Sequence, residues 1–75
     1  MTINEQTRAA QKLKRLYKVG DRVKLVKIKD AVYEKYNGKT ATIQSIDDIG
    51  QIKCSVDGGG NCTICTFYGD IFKKI

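Results

Sequence analysis

The sequence predicts a mainly β domain, a small five-stranded barrel preceded by one α-helix, and three observations predict it. Val23, Lys24 and Leu25 alternate apolar with charged residues directly after Gly20-Asp21, the pattern of a half-buried strand leaving a turn. A second alternating run, Ala41, Thr42, Ile43 and Gln44, follows Asn37-Gly38. Two further turns rich in Asp and Gly, Asp47-Asp48-Ile49-Gly50 and Asp57-Gly58-Gly59-Gly60-Asn61, stand at hairpin spacing downstream.

The first element, within residues 1–18, reads as a helix from about Ile3 to Tyr17. Thr2 and Glu5 have capping-box spacing, and Gly20 supplies a stop. Ile3, Ala10, Leu13 and Tyr17, flanked by Ala9 and Leu16, trace an apolar stripe, so Leu13 and Leu16 are expected to bury against the barrel. The opposite face carries Arg8, Gln11, Lys12 and Arg15. That face is either a solvated surface or a contact for nucleic acid.

The barrel domain takes residues 19–75. Its strands are expected near Arg22 to Ile28, Lys39 to Ile46, Gln51 to Val56, Asn61 to Phe67 and Phe72 to Ile75. Gly50 suits a positive φ in the second hairpin turn. The connection from Lys29 to Gly38 is long and rich in tyrosine and charge, like the long first loop of SH3-type barrels, and this makes the expected barrel SH3-like. Tyr68-Gly69-Asp70-Ile71 is short enough for one 3₁₀ turn before the closing strand. The inward positions are then Val23, Leu25, Ala41, Ile43, Ile46, Ile52, Cys54, Val56, Ile64 and Phe72.

Gly20-Asp21-Arg22-Val23-Lys24-Leu25, Gly38-Lys39-Thr40-Ala41-Thr42-Ile43, Ile46-Asp47-Asp48-Ile49-Gly50-Gln51-Ile52 and Val56-Asp57-Gly58-Gly59 carry a family resemblance. Over about Val19 to Ile75 the chain resembles a family of small uncharacterised bacterial proteins often carried by phages, plasmids and conjugative elements. It departs where the loop at Ala31 to Asn37 has no proline and where three glycines follow Asp57. More distantly, the Gly-Asp-x-Val opening is similar to KOW and other SH3-like modules that bind RNA, DNA or ribosomal partners. Thr40-Ala41 stands where a KOW motif usually has glycine. The resemblance implies a fold and a genomic setting, not a reaction.

Composition bounds the function. A chain of 75 residues builds one small core, worth about 3–5 kcal/mol of net stability without further support. There is no histidine, so the commonest general base and the commonest zinc ligand are both absent. With no activated nucleophile visible, the chain is not expected to be an enzyme or to hold a cofactor. Its net charge of +6 comes from 14 Lys and Arg against 8 Asp and Glu. Such a field favours polyanionic partners and equally serves solubility. No apolar run approaches a membrane span and no leader pattern opens the sequence, so no membrane partner and a cytoplasmic location are expected. Nothing in the sequence specifies an oligomeric state.

Cys62-Thr-Ile-Cys65 has the spacing of a zinc knuckle or redox pair, with Cys54 one hairpin away. Strand alternation sends Cys62 and Cys65 to opposite faces, whereas a knuckle needs a tight turn and a fourth ligand that only Asp57 or Asp70 could supply. The cysteines are therefore expected to be small reduced hydrophobes, and no metal site is expected. The three glycines at 58–60 lack the Gly-Lys-Ser/Thr ending and following helix of a phosphate loop and read as a hairpin turn. Asp47 and Asp48 read as turn residues whose side chains satisfy local amides.

The strongest functional candidate is the stretch Lys27 to Lys39. It interleaves Lys27, Lys29, Lys35 and Lys39 with Tyr33 and Tyr36, supplying charge for phosphates and flat faces for bases. Tyr33 is the tyrosine expected to be exposed, and Tyr36 is expected to lid the core. The expected nucleic-acid-binding set is Arg8, Lys12, Arg15, Lys27, Lys29, Tyr33, Lys35 and Lys39. The expected function is a non-enzymatic binding module for nucleic acid in mobile-element biology. A protein-interaction adaptor using the same loop for an extended peptide is the alternative.

Overall fold

The computed structural model describes residues 3–75; Thr2, the expected helix cap, and the side chain of Ile3 lie outside the described residues. Helix α1 (Ile3–Leu16) is followed by strands β1 (Arg22–Lys27), β2 (Thr40–Ile46), β3 (Gln51–Val56), β4 (Asn61–Cys65) and β5 (Ile71–Lys74). Two 3₁₀ turns, Glu34–Tyr36 and Thr66–Tyr68, interrupt the loops. All strand pairs are antiparallel, in the order β4-β3-β2-β1-β5.

The expected five strands and helix are present, but the sheet does not close. β4 and β5 are its edges, and among the described residues no ladder joins them. The reason lies at the end of β4. The Cys65 amide donates to the carboxylate of Asp70 (2.8 Å), so β4 stops there instead of running on to Phe67. The chain then turns through Thr66–Tyr68, two residues ahead of the expected 3₁₀ turn, and leaves it at Gly69, whose φ of 88° is left-handed.

Eight of the ten expected inward residues are fully buried, with Ile46 and Phe72 half-buried against them. Alternation also buries Cys62, which pairs across the ladder with Cys54. Ile28 joins the core although β1 ends at Lys27, because a bulge between Leu25 and Lys27 shifts the register.

Helix α1 docks through Ala10 and Leu13, and just past its end the Tyr17 ring lies 5.1 Å from that of Phe72. Leu16, expected to bury, is 55% exposed, since the helical turn carries it to the rim of the stripe. Gly50 permits the close approach under the helix. Its φ is 83°, and a Cβ there would lie 3.0 Å from Phe67 Cε2 and 3.6 Å from Leu13 Cδ1. Lys14 adds an ion pair to Asp48 at 2.5 Å. No helix among the described residues is long and apolar enough to cross a membrane.

Candidate functional site

The long loop between β1 and β2 is held at both ends by side chains that accept backbone hydrogen bonds. Asn37 Oδ1 takes the Ile28 amide (2.7 Å), and Asp70 Oδ1 takes the Lys29 amide (2.8 Å) while its Oδ2 holds Cys65. Asp70 is 8% exposed, so one buried carboxylate ties the loop to the end of β4. Asp30 turns the chain next, accepting the Val32 amide at 2.9 Å in an Asx turn.

This anchoring lays the loop beside β4. Tyr36 reaches Gly60 in the β3–β4 turn so closely that a Cβ there would meet its hydroxyl. Tyr33 stacks on Tyr36 with ring centroids 6.4 Å apart, and Lys35 Nζ lies 5.2 Å from the Tyr36 centroid. Both tyrosines are half-buried against the core. Tyr33, expected to be the exposed one, is therefore partly a lid as well. Residues three apart in a 3₁₀ turn eclipse, and Tyr33 and Tyr36 bracket such a turn, so one ring cannot bury without the other.

Between the loop and β4 lies an open groove of about 290 Å³ lined by Lys29, Asp30, Tyr33, Thr63, Cys65 and Tyr68, among others. Tyr68 is 76% exposed and faces the groove from the turn that follows β4. Sequence reasoning missed it. Its signal was its position beside Gly69, in the short turn between the last two strands.

Of the expected site residues, the groove unites Lys29 and Tyr33, with Lys35 beside them on Tyr36. Lys27 sits at the end of β1 opposite Ile71, and Lys39 precedes β2; both are exposed. Arg8, Lys12 and Arg15 form an exposed stripe on α1, and the groove draws no lining residue from that helix. The expected set is thus two basic regions with one cleft beside the second.

Cys62 points into the core, whereas Cys65 lines the groove with Thr63, so the two thiols occupy opposite faces of β4. Burial pushes the Cys54 thiol up to about 12, with Cys62 adding to it. Burial likewise pushes Cys62 to about 11, helped by the carboxylates of Asp70 and Asp30. Such thiols are poor nucleophiles at neutral pH. Among the described residues no three His, Cys, Asp or Glu side chains gather as a metal cage. Gly58, Gly59 and Gly60, all at positive φ, form the hairpin turn, and a strand follows them.

Residues 6–75 match a family model described as "Domain of unknown function (DUF4314)". The chain belongs to that family. The match begins at Gln6, inside α1, and runs through every strand, so most of the helix falls within the DUF4314 domain. A comparison with curated proteins finds no match, and a comparison with solved structures finds none. The expectation of an uncharacterised small-domain family holds at that level.

Proposed function

We propose that this DUF4314 domain is a non-enzymatic binding module for single-stranded nucleic acid, with SH3-like strand organisation, serving the phage, plasmid or conjugative-element setting that the sequence resemblance implies. The strand order β4-β3-β2-β1-β5, the long first loop and the 3₁₀ turn before the last strand support the SH3-like reading. One observation carries the function: Tyr33 and Tyr68 line the same open groove as Lys29, on a chain with a surplus of six positive charges. Aromatic faces give stacking that every base satisfies, and the lysine gives a contact for phosphate. Lys27, Lys35 and Lys39 extend the positive field around the cleft, and Arg8, Lys12 and Arg15 add long-range attraction.

Titration of the whole domain against oligothymidylate, single-stranded RNA and duplex DNA over a range of salt tests this. Single strands are expected to bind more tightly than duplex, because paired bases cannot reach the tyrosines. Tighter duplex binding, or no binding at low salt, overturns it.

A protein-interaction role is favoured by one separate observation, the exposed Val26 and Ile71 on the outer face of β1 and β5.

A further inference from the structure

The two sheet edges differ. The long loop lies against β4, whereas among the described residues β5 pairs only with β1. Leu25 commits its backbone C=O and N–H to Gly38 and Lys39 on the β2 side, and the Ile75 amide donates to the Arg22 carbonyl (3.0 Å). Antiparallel alternation therefore turns the backbone groups of Lys73 toward β1 and those of Phe72 and Lys74 outward, away from it. Among the described residues β5 thus presents unpaired backbone donors and acceptors at Phe72 and Lys74.

The outer face beside that edge has a distinct chemistry. The bulge leaves Val26 without a partner in β5, and Val26 and Ile71, 44% and 52% exposed, line a shallow depression of about 560 Å³. Lys24 and Lys73 line it too, and they are direct cross-strand partners. Neither makes an ion pair among the described residues. Like charges directly opposite each other weaken a ladder, so an anionic group set between them relieves a repulsion already present in the free protein.

The occupant follows from these features together. A second copy pairing along the β5 edge would bring lysine against lysine, and lysine on an edge strand is a device against such self-pairing. A phosphate backbone would satisfy the lysines and leave the apolar floor and the edge amides unmet. We propose that the β5 edge and the adjoining outer face dock an acidic protein segment in extended conformation. The segment adds a strand through Phe72 and Lys74, sets a carboxylate at the Lys24–Lys73 pair and lays an aliphatic side chain on Val26 and Ile71. This surface is separate from the tyrosine groove and does not depend on it.

The test is an NMR titration of the ¹⁵N-labelled full chain with a synthetic peptide of Ser-Val-Ser-Glu repeats, which puts Val and Glu on one face of an extended strand, and with its Ser-Val-Ser-Lys counterpart. The acidic peptide is expected to shift the amides of Val26 and Phe72 to Lys74, and the basic peptide to shift none of them. Reversing both charges, Lys24→Glu with Lys73→Glu, should weaken the acidic peptide by about tenfold, as expected for two exposed ion pairs, and admit the basic one. Both side chains are exposed, so the variant keeps the core, and its thermal midpoint checks this. No shift on β5 with the acidic peptide, or equal shifts with both peptides, overturns the proposal. Oligothymidylate displacing the peptide from β5 also overturns it, assigning the face to nucleic acid. Oligothymidylate shifting only the Tyr33 and Tyr68 amides leaves it standing; failure of the nucleic-acid reading alone is read from those amides.

Discussion

Asp70 accepts the amide of Lys29 at 2.8 Å across a sequence separation of 41 residues, and its other carboxylate oxygen holds Cys65 at the same distance. One buried side chain therefore sets where β4 ends, where the long loop begins and how wide the groove between them stands. The loop's other attachments include Asn37 and the backbone of Gly38 and Lys39 at its far end, and the Tyr33 and Tyr36 rings on the core.

Asp70→Ala should leave the buried Cys65 amide and the part-buried Lys29 amide without acceptors and cost about 2–4 kcal/mol, most of the stability expected of so small a domain. Asp70→Asn, with one carbonyl oxygen, should recover only part of this. Urea denaturation followed by circular dichroism gives both values. A loss under about 0.5 kcal/mol for the alanine variant would place the anchor elsewhere.

The helix interface makes a second contrast. Leu13 packs on the core, near Gly50 and Phe67, so Leu13→Ala should cost about 2 kcal/mol, whereas Leu16→Ala should cost less than about 0.5. Gly50→Ala should also destabilise, because its φ of 83° disfavours an L side chain and the added methyl meets Phe67 at 3.0 Å. Thermal melts of the three variants rank them; equal losses for Leu13 and Leu16 would contradict the observed docking.

β3 was legible to the residue, because Ile52, Cys54 and Val56 alternate between two glycine-bearing turns. Cys62 shares parity with Ile64, so its burial was legible too once β4 was placed. The end of β4, the shared burial of Tyr33 and Tyr36 and the exposure of Tyr68 were not. Each depends on Asp70 or on the loop it anchors, contacts made between residues far apart in sequence that no local period records. Lys29 and Tyr33 could be read as a composition but not as a cleft, since the opposite wall comes from β4 and the turn after it.

Acid should weaken the fold through its exposed carboxylates. Arg22 grips Asp57 with its two terminal guanidinium nitrogens while Thr40 donates to it, holding that carboxyl well below its ordinary 3.8. Hydrogen bonds from the Lys18 amide and from Lys74 lower Asp21, and one from Lys14 lowers Asp48. The unfolded chain then binds more protons than the folded one in this range, so stability is present above about pH 4 and is lost as pH falls below it. Arg22→Ala should remove much of this dependence, and added salt should flatten it. A midpoint unchanged from pH 6 to pH 2 would refute the role of these pairs.

Alkali acts through the core thiols. Cys54 and Cys62 stay protonated in the fold up to about 12 and 11, against 9.0 when unperturbed, so the unfolded chain gives up protons first. Stability should be fully present below pH 9 and decline as pH rises toward 11–12. At neutral pH a thiol reagent should label these two cysteines only as fast as the protein unfolds. Prompt labelling of the native protein at Cys54 would contradict their burial.

The proposed binding of a single strand joins a charge field to a pair of tyrosines, and the two contributions separate in one experiment. Binding of fluorescent oligothymidylate is measured against salt for the parent protein and for Tyr33→Ala, Tyr68→Ala, Lys29→Ala and Lys35→Ala. The parent should bind at about micromolar strength with a steep fall as salt rises. Each tyrosine variant should lose about 1–3 kcal/mol with the slope unchanged, and each lysine variant should lower the slope by about one unit. Tyrosine variants that bind like the parent, or a parent that binds no single strand at low salt, would contradict the account.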